Sequence, residues 1–126
     1  MDVGPLHGYG PRLMTSISPP DAEPGVPTTW CEISRSALEA NVGIFRRRLA
    51  PGARLGMVVK ANAYGHGMVQ CARMLVEAGV DWLVVNDVEE ALQLRVAGLE
   101  SPLYICGPVL PERAAGVVEA GAEGAL

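Results

Sequence analysis

Four side chains able to do chemistry, Lys60, Asn62, Tyr64 and His66, fall on alternate positions of a single seven-residue stretch, with Gly65 and Gly67 beside the last two. Met57-Val58-Val59 runs straight into the lysine. An apolar strand that delivers an amine to its carboxyl end, ahead of a loop too rich in glycine to serve stability, points to Schiff-base chemistry. The backbone opens at the carboxyl ends of parallel strands into the crevice where ligands bind. An amine there, beside apolar residues, has its charged form disfavoured and becomes nucleophilic. Taken alone, a lysine at a strand end also fits a solvated surface amine.

An aldehyde-bearing cofactor such as pyridoxal phosphate is the natural partner of that amine. Tyr64, four residues on, is at the distance one loop turn places beside the lysine; its phenol can donate to a phosphate or to a substrate carboxylate, or its ring can pack the loop. Gly65 and Gly67 allow close backbone approach, and Gly67 opens a helix whose free N–H groups can meet an anion. His66 fits an acid, a base or a residue that orients the loop. Asn62 fits either a tie within the loop, through its amide, or a ligand contact.

The elements that must position this stretch alternate in type. A strand is expected over 29–33, followed by a helix over 36–49 that starts on the capping box Ser36-Ala37-Leu38-Glu39 and carries Leu38, Val42, Phe45 and Leu49 at helical spacing. Arg46, Arg47 and Arg48 complement the helix dipole at its end, and Pro51-Gly52 stops it. A strand over 54–60, buried on both faces, leads to the loop. Cys71, Ala72, Leu75 and Val76 then form a helix stripe ended by Gly79. A strand over 81–86, a helix over 87–97 stopped by Gly98, a strand over 102–107 and a helix over 111–120 that opens on Pro111 and closes at Gly121 follow. This order specifies an α/β fold of parallel units with helices covering the sheet. Three such units do not close a barrel, which needs about 250 residues. A fourth strand would be starting at Gly124-Ala125-Leu126.

Composition narrows the function. The 126 residues are 49% hydrophobic and 19% charged, in the ordinary range for one modest globular domain. The formal charge of -4 comes without blocks of either sign, which argues against a nucleic-acid partner or a membrane-surface helix. Cys31, Cys71 and Cys106 form neither a CxxC pair nor a metal-ligand set, so no metal is expected, and they read as buried or half-buried thiols in a reducing compartment. With no signal-peptide pattern and no stretch of membrane-span length, the expected location is the cytoplasm. Residues 1–27, with six prolines and four glycines, read as a disordered lead-in, and order is expected over 28–126.

Val58-Val59-Lys60-Ala61-Asn62-Ala63-Tyr64-Gly65-His66-Gly67 resembles the pyridoxal-phosphate signature of alanine racemases nearly letter for letter. Trp30-Cys31-Glu32-Ile33, Glu77-Ala78-Gly79-Val80-Asp81-Trp82 and Glu89-Glu90-Ala91-Leu92 with Leu94-Arg95 and Ala97-Gly98 extend the resemblance from about Thr28 to the last residue. It implies that 28–126 is the amino-terminal part, roughly three βα units, of a TIM-type (β/α)8 barrel truncated before closure. In such proteins a β-rich carboxyl domain follows the barrel, and a homodimer builds its active sites from both subunits.

By the same resemblance, Lys60 bonds pyridoxal 5'-phosphate and acts as one of two bases that exchange the alpha proton of alanine, and Tyr64 holds the cofactor phosphate. The implied activity is interconversion of L-alanine and D-alanine, supplying D-alanine for cell-wall peptidoglycan. The tyrosine that serves the opposite face in the family, and the arginine on the pyridine nitrogen, have no counterpart in these residues. The alternatives are a non-catalytic truncated segment that binds pyridoxal phosphate, and a serine or broad-specificity racemase of the same fold.

Overall fold

The structure, a computed structural model, describes residues 31–124. The lead-in expected over 1–27 lies outside them. So does part of the strand expected over 29–33, and its described residues 31–33 are neither helix nor strand. From Arg35 onward the chain forms one compact unit. Helix α1 spans Arg35–Arg48, so it starts one residue before Ser36 and places that serine inside the first turn instead of at the cap. Val42 is its one fully buried residue. Phe45 is 51% exposed, so the expected four-residue stripe is not buried as a whole among the described residues.

Four short strands follow: β1 Gly56–Val58, β2 Trp82–Val85, β3 Leu103–Ile105 and β4 Ala122–Gly124. Between them lie α2 (Lys60–Tyr64), α3 (Met68–Glu77), α4 (Val88–Val96), and a 3-10 turn, Pro111–Arg113, that runs into α5 (Ala114–Glu119). The sheet order is β1-β2-β3-β4 and every pairing is parallel. The expected alternation therefore holds as three strand-helix units, and the fourth strand arises two residues earlier than expected. It pairs as Leu103↔Ala122, Tyr104↔Glu123 and Ile105↔Gly124. No helix among the described residues is long and apolar enough to cross a membrane.

Register assigns the two faces of the sheet. Residues aligned across a parallel sheet share a face, and alternate residues along a strand change face. Leu83, Val85, Leu103 and Ile105 are all fully buried. The residues that α3 and α4 bury, Met68, Cys71, Ala72 and Leu75 with Val88, Ala91 and Leu94, complete that layer. On the other face Val58, Val84 and Tyr104 align. Val58 is 44% exposed and the other two are half-buried. The expectation that β1 is buried on both faces is thus corrected: Val59 is buried, but Val58, on the other face, is exposed.

Two clamps hold the amino-terminal ends of the strands. The Asp81 carboxylate accepts from Leu55 N–H at 2.6 Å, just before β1, and pairs with the Arg46 guanidinium at 2.7 Å. Arg46 also donates to Gly79 O at 2.6 Å, so this arginine at the end of α1 serves tertiary structure as well as the helix dipole. The Leu55 N–H, and after it the Arg46 side chain, hold the Asp81 carboxyl below the usual carboxylate range. The second clamp is Arg95. Its guanidinium donates to Leu99 O and Ser101 O ahead of β3, and to Ala120 O ahead of β4, at 2.7, 2.9 and 2.7 Å. None of the three cysteines is in a disulfide; Cys71 is buried, whereas Cys31 and Cys106 are exposed rather than buried or half-buried.

Candidate active site

The lysine stretch is a left-handed helical turn. Ala61, Asn62, Ala63 and Tyr64 have φ of 52, 54, 52 and 54°, a conformation that residues with a Cβ enter at a cost of about 1–2 kcal/mol each and almost never in runs. β1 therefore ends sooner than the expected 54–60, and Lys60 is the residue at which the chain changes hand. The turn is held by its own backbone: Ala63 N–H donates to Val59 O at 2.8 Å, His66 N–H to Ala63 O at 3.1 Å, and Gly67 N–H to Asn62 O at 3.0 Å. Gly65, with φ 88°, continues the left-handed path where no side chain opposes it.

Side chains finish the tie. Asn62 Oδ1 accepts from Met68 N–H at 2.8 Å, filling the first donor of α3, so that donor is not open to an anion. His66 Nδ1 lies 2.8 Å from Ala63 O; a carbonyl only accepts, so Nδ1 carries the proton and the imidazole braces the turn. Backed by Val59 and Ala63, both buried, the segment presents Lys60 and Tyr64 from one turn at the carboxyl end of β1. Lys60 is half-buried, and among the described residues its ammonium has no hydrogen-bond or ion-pair partner. Tyr64 is 62% exposed, and its hydroxyl likewise meets no described partner.

One residue of the site is missed by the sequence reading. Glu90, in the first turn of α4, accepts from Ala61 N–H at 2.6 Å through Oε1 and from Asn86 N–H at 2.8 Å through Oε2. Asp87 caps the same helix by accepting from Glu90 N–H at 3.0 Å. The Asp87-x-x-Glu90 spacing is a capping-box signal that could have located this carboxylate, though not its second partner. The described residues contain no cluster of three metal-ligating side chains. What the site offers is an amine and a phenol without partners among the described residues, on a hydrogen-bonded turn at the carboxyl end of a parallel strand. That donor set suits an aldehyde-bearing anionic cofactor.

The family model described as "Alanine racemase, N-terminal domain" matches residues 33–125. The alanine racemase of Symbiobacterium thermophilum is 42% identical over 102 residues, which cover 81% of this chain and 27% of that protein. Among solved structures, alanine racemase from Bacillus anthracis with bound L-Ala-P superposes with a TM-score of 0.70 at 33% identity, over 73% of this chain and 24% of that one. Alanine racemase from Bartonella henselae with covalently bound pyridoxal phosphate gives 0.64 at 31% identity, over 73% and 27%. The chain thus spans about a quarter of the length of the relatives it matches, and its unclosed four-stranded sheet corresponds to the amino-terminal portion of their barrels. With the matched segment holding the lysine turn and all four strands, the chain belongs to the alanine racemase family.

Proposed function

We propose that residues 28–126 form the pyridoxal-phosphate-binding start of an alanine racemase barrel, in which Lys60 holds the cofactor and works as the base on one face of the substrate. The observation that carries this reading is the lysine itself: an amine without a described partner, at the carboxyl end of a parallel strand, beginning a turn whose strain is compensated by a network of hydrogen bonds. Backbone strain of this kind persists where the surroundings over-determine it, commonly at functional sites. Tyr64 would hold the cofactor phosphate with its phenol. The covalently bound cofactor of the Bartonella henselae relative and the L-Ala-P of the Bacillus anthracis relative support the cofactor and a small amino-acid substrate.

Bound pyridoxal phosphate supplies an electron-withdrawing ring that makes the alpha C–H of an attached amino acid acidic. The part left to this chain is to move a proton at a fixed position. The Lys60 amine takes it from, or returns it to, one face, and the rigid turn keeps Nζ aimed while Tyr64 anchors the far end of the cofactor. Racemisation needs a second group on the opposite face, and Lys60 supplies one face only. The full protein accordingly acts as a cytoplasmic homodimer that interconverts L-alanine and D-alanine and supplies D-alanine for peptidoglycan. The 126 residues by themselves bind the cofactor without turnover.

Lys60→Ala in the full-length protein tests the assignment. Visible absorbance from bound cofactor and racemisation should both be lost; either one persisting at the unsubstituted level refutes the role of Lys60. Clear turnover by the isolated 126 residues with added cofactor would refute the one-face reading.

A further inference from the structure

A carboxylate from another element adds a tie between the lysine turn and the rest of the sheet. In the usual capping box the glutamate at the third helical position folds back to the N–H of its own cap residue. Glu90 departs from that pattern. Its Oε2 accepts from Asn86, the residue before the cap, and its Oε1 reaches out of its own loop to Ala61 N–H, 29 positions away in sequence and next to Lys60. Both contacts lie at the carboxyl ends of adjacent strands, β1 and β2, whose pairing extends through Val59 N–H donating to Val84 O at 2.8 Å.

We propose that Glu90 is a positioning residue for Lys60: its carboxylate fastens the left-handed turn to the end of β2 and so sets the direction in which the lysine amine leaves the strand. The inference rests on the reading of Lys60 as the cofactor amine. Chemistry explains why a carboxylate serves. Both partners are N–H donors, and an ionised carboxylate presents acceptors on both oxygens. Glutamine keeps one acceptor and turns an NH₂ donor toward the second N–H. Alanine offers neither.

The test uses the full-length protein loaded with pyridoxal phosphate, with Glu90→Gln and Glu90→Ala beside Arg95→Ala. Arg95 clamps carbonyls at the opposite end of the sheet, so its loss destabilises without touching the turn. Amide exchange is followed at Ala61 and Asn86, together with the pH profile of the cofactor's visible band and the melting temperature. Loss of a hydrogen bond to a charged group corresponds to roughly 10- to 100-fold. Glu90→Ala should speed exchange at both amides by that range and shift the pH profile, with Glu90→Gln between it and the parent. Arg95→Ala should lower the melting temperature and leave the other two readouts in place.

An unchanged Ala61 exchange rate in Glu90→Ala, or a pH profile that moves equally in Glu90→Ala and Arg95→Ala, overturns the proposal. Should Glu90→Ala not fold, Glu90→Gln decides by the same criteria. Failure of the Lys60 assignment shows separately, as retention of the cofactor band by Lys60→Ala, whereas exchange at Ala61 reads Glu90 with or without cofactor.

Discussion

Replacing Ala61 by glycine should stabilise the protein, although the same change in an ordinary helix weakens it. Ala61 sits at φ 52° and ψ 49° and is exposed, so its methyl group packs against little while its Cβ carries the left-handed penalty. Relief of that penalty returns about 1–2 kcal/mol. Glycine's greater freedom in the unfolded chain takes back about 0.4–1 kcal/mol. The net gain is about 0.5–1 kcal/mol, while a right-handed helix interior would lose about 1 kcal/mol. The two outcomes differ in sign, so a urea midpoint measured at constant slope on the full-length protein separates them. The backbone N–H to Glu90 is retained in the variant, so the comparison isolates conformation. A midpoint that falls by the equivalent of about 1 kcal/mol would refute the left-handed assignment and the argument built on it.

Further outcomes follow from the clamps and the close contacts. Asp81, held below the usual carboxylate range by Leu55 N–H and Arg46, adds stability that is present above its unfolded pKa of about 3.9 and lost as pH falls through its lower folded value. Asp81→Asn should therefore melt below the parent at neutral pH, and the gap should narrow in acid; a gap that widens on acidification contradicts the linkage. A Cβ at Gly107 would lie 2.4 Å from the Asn86 carbonyl oxygen, so Gly107→Ala should cost about 1–3 kcal/mol in chemical denaturation, and a neutral result would count against that packing.

The order of strands and helices is legible in the sequence because each helix carries its own stop. Gly79 and Gly98, at φ 89 and 78°, take positions past α3 and α4 that favour a residue without a Cβ. The lysine and its preceding apolar strand are legible for a similar local reason. The hand of the turn is not. Ala-Asn-Ala-Tyr holds one residue, Asn62, with any preference for the left-handed region, and alanine is the strongest right-handed helix former. The conformation is held by hydrogen bonds within the turn and by one from a distant element, the Glu90 carboxylate on Ala61 N–H, which local preference does not reveal. Exposure of Val58 is hidden for a related reason: an apolar run has the same composition whether one face of its sheet is covered or two.

The two ends of this sheet are fastened by different chemistry. At the amino-terminal ends of the strands, cationic side chains and a paired aspartate gather carbonyls and one N–H around loops that carry none of the lysine site. At the carboxyl-terminal ends, an anionic side chain gathers N–H groups around the loop that does. Robustness and reactivity therefore occupy opposite poles of one small sheet. Selection, or an engineer, can tighten the first through Arg46, Asp81 and Arg95 while the aim of Lys60 stays as it is. By contrast, any change in the length of the β2–α4 connection reaches the lysine through Glu90, so the first two loops of the barrel can vary only together.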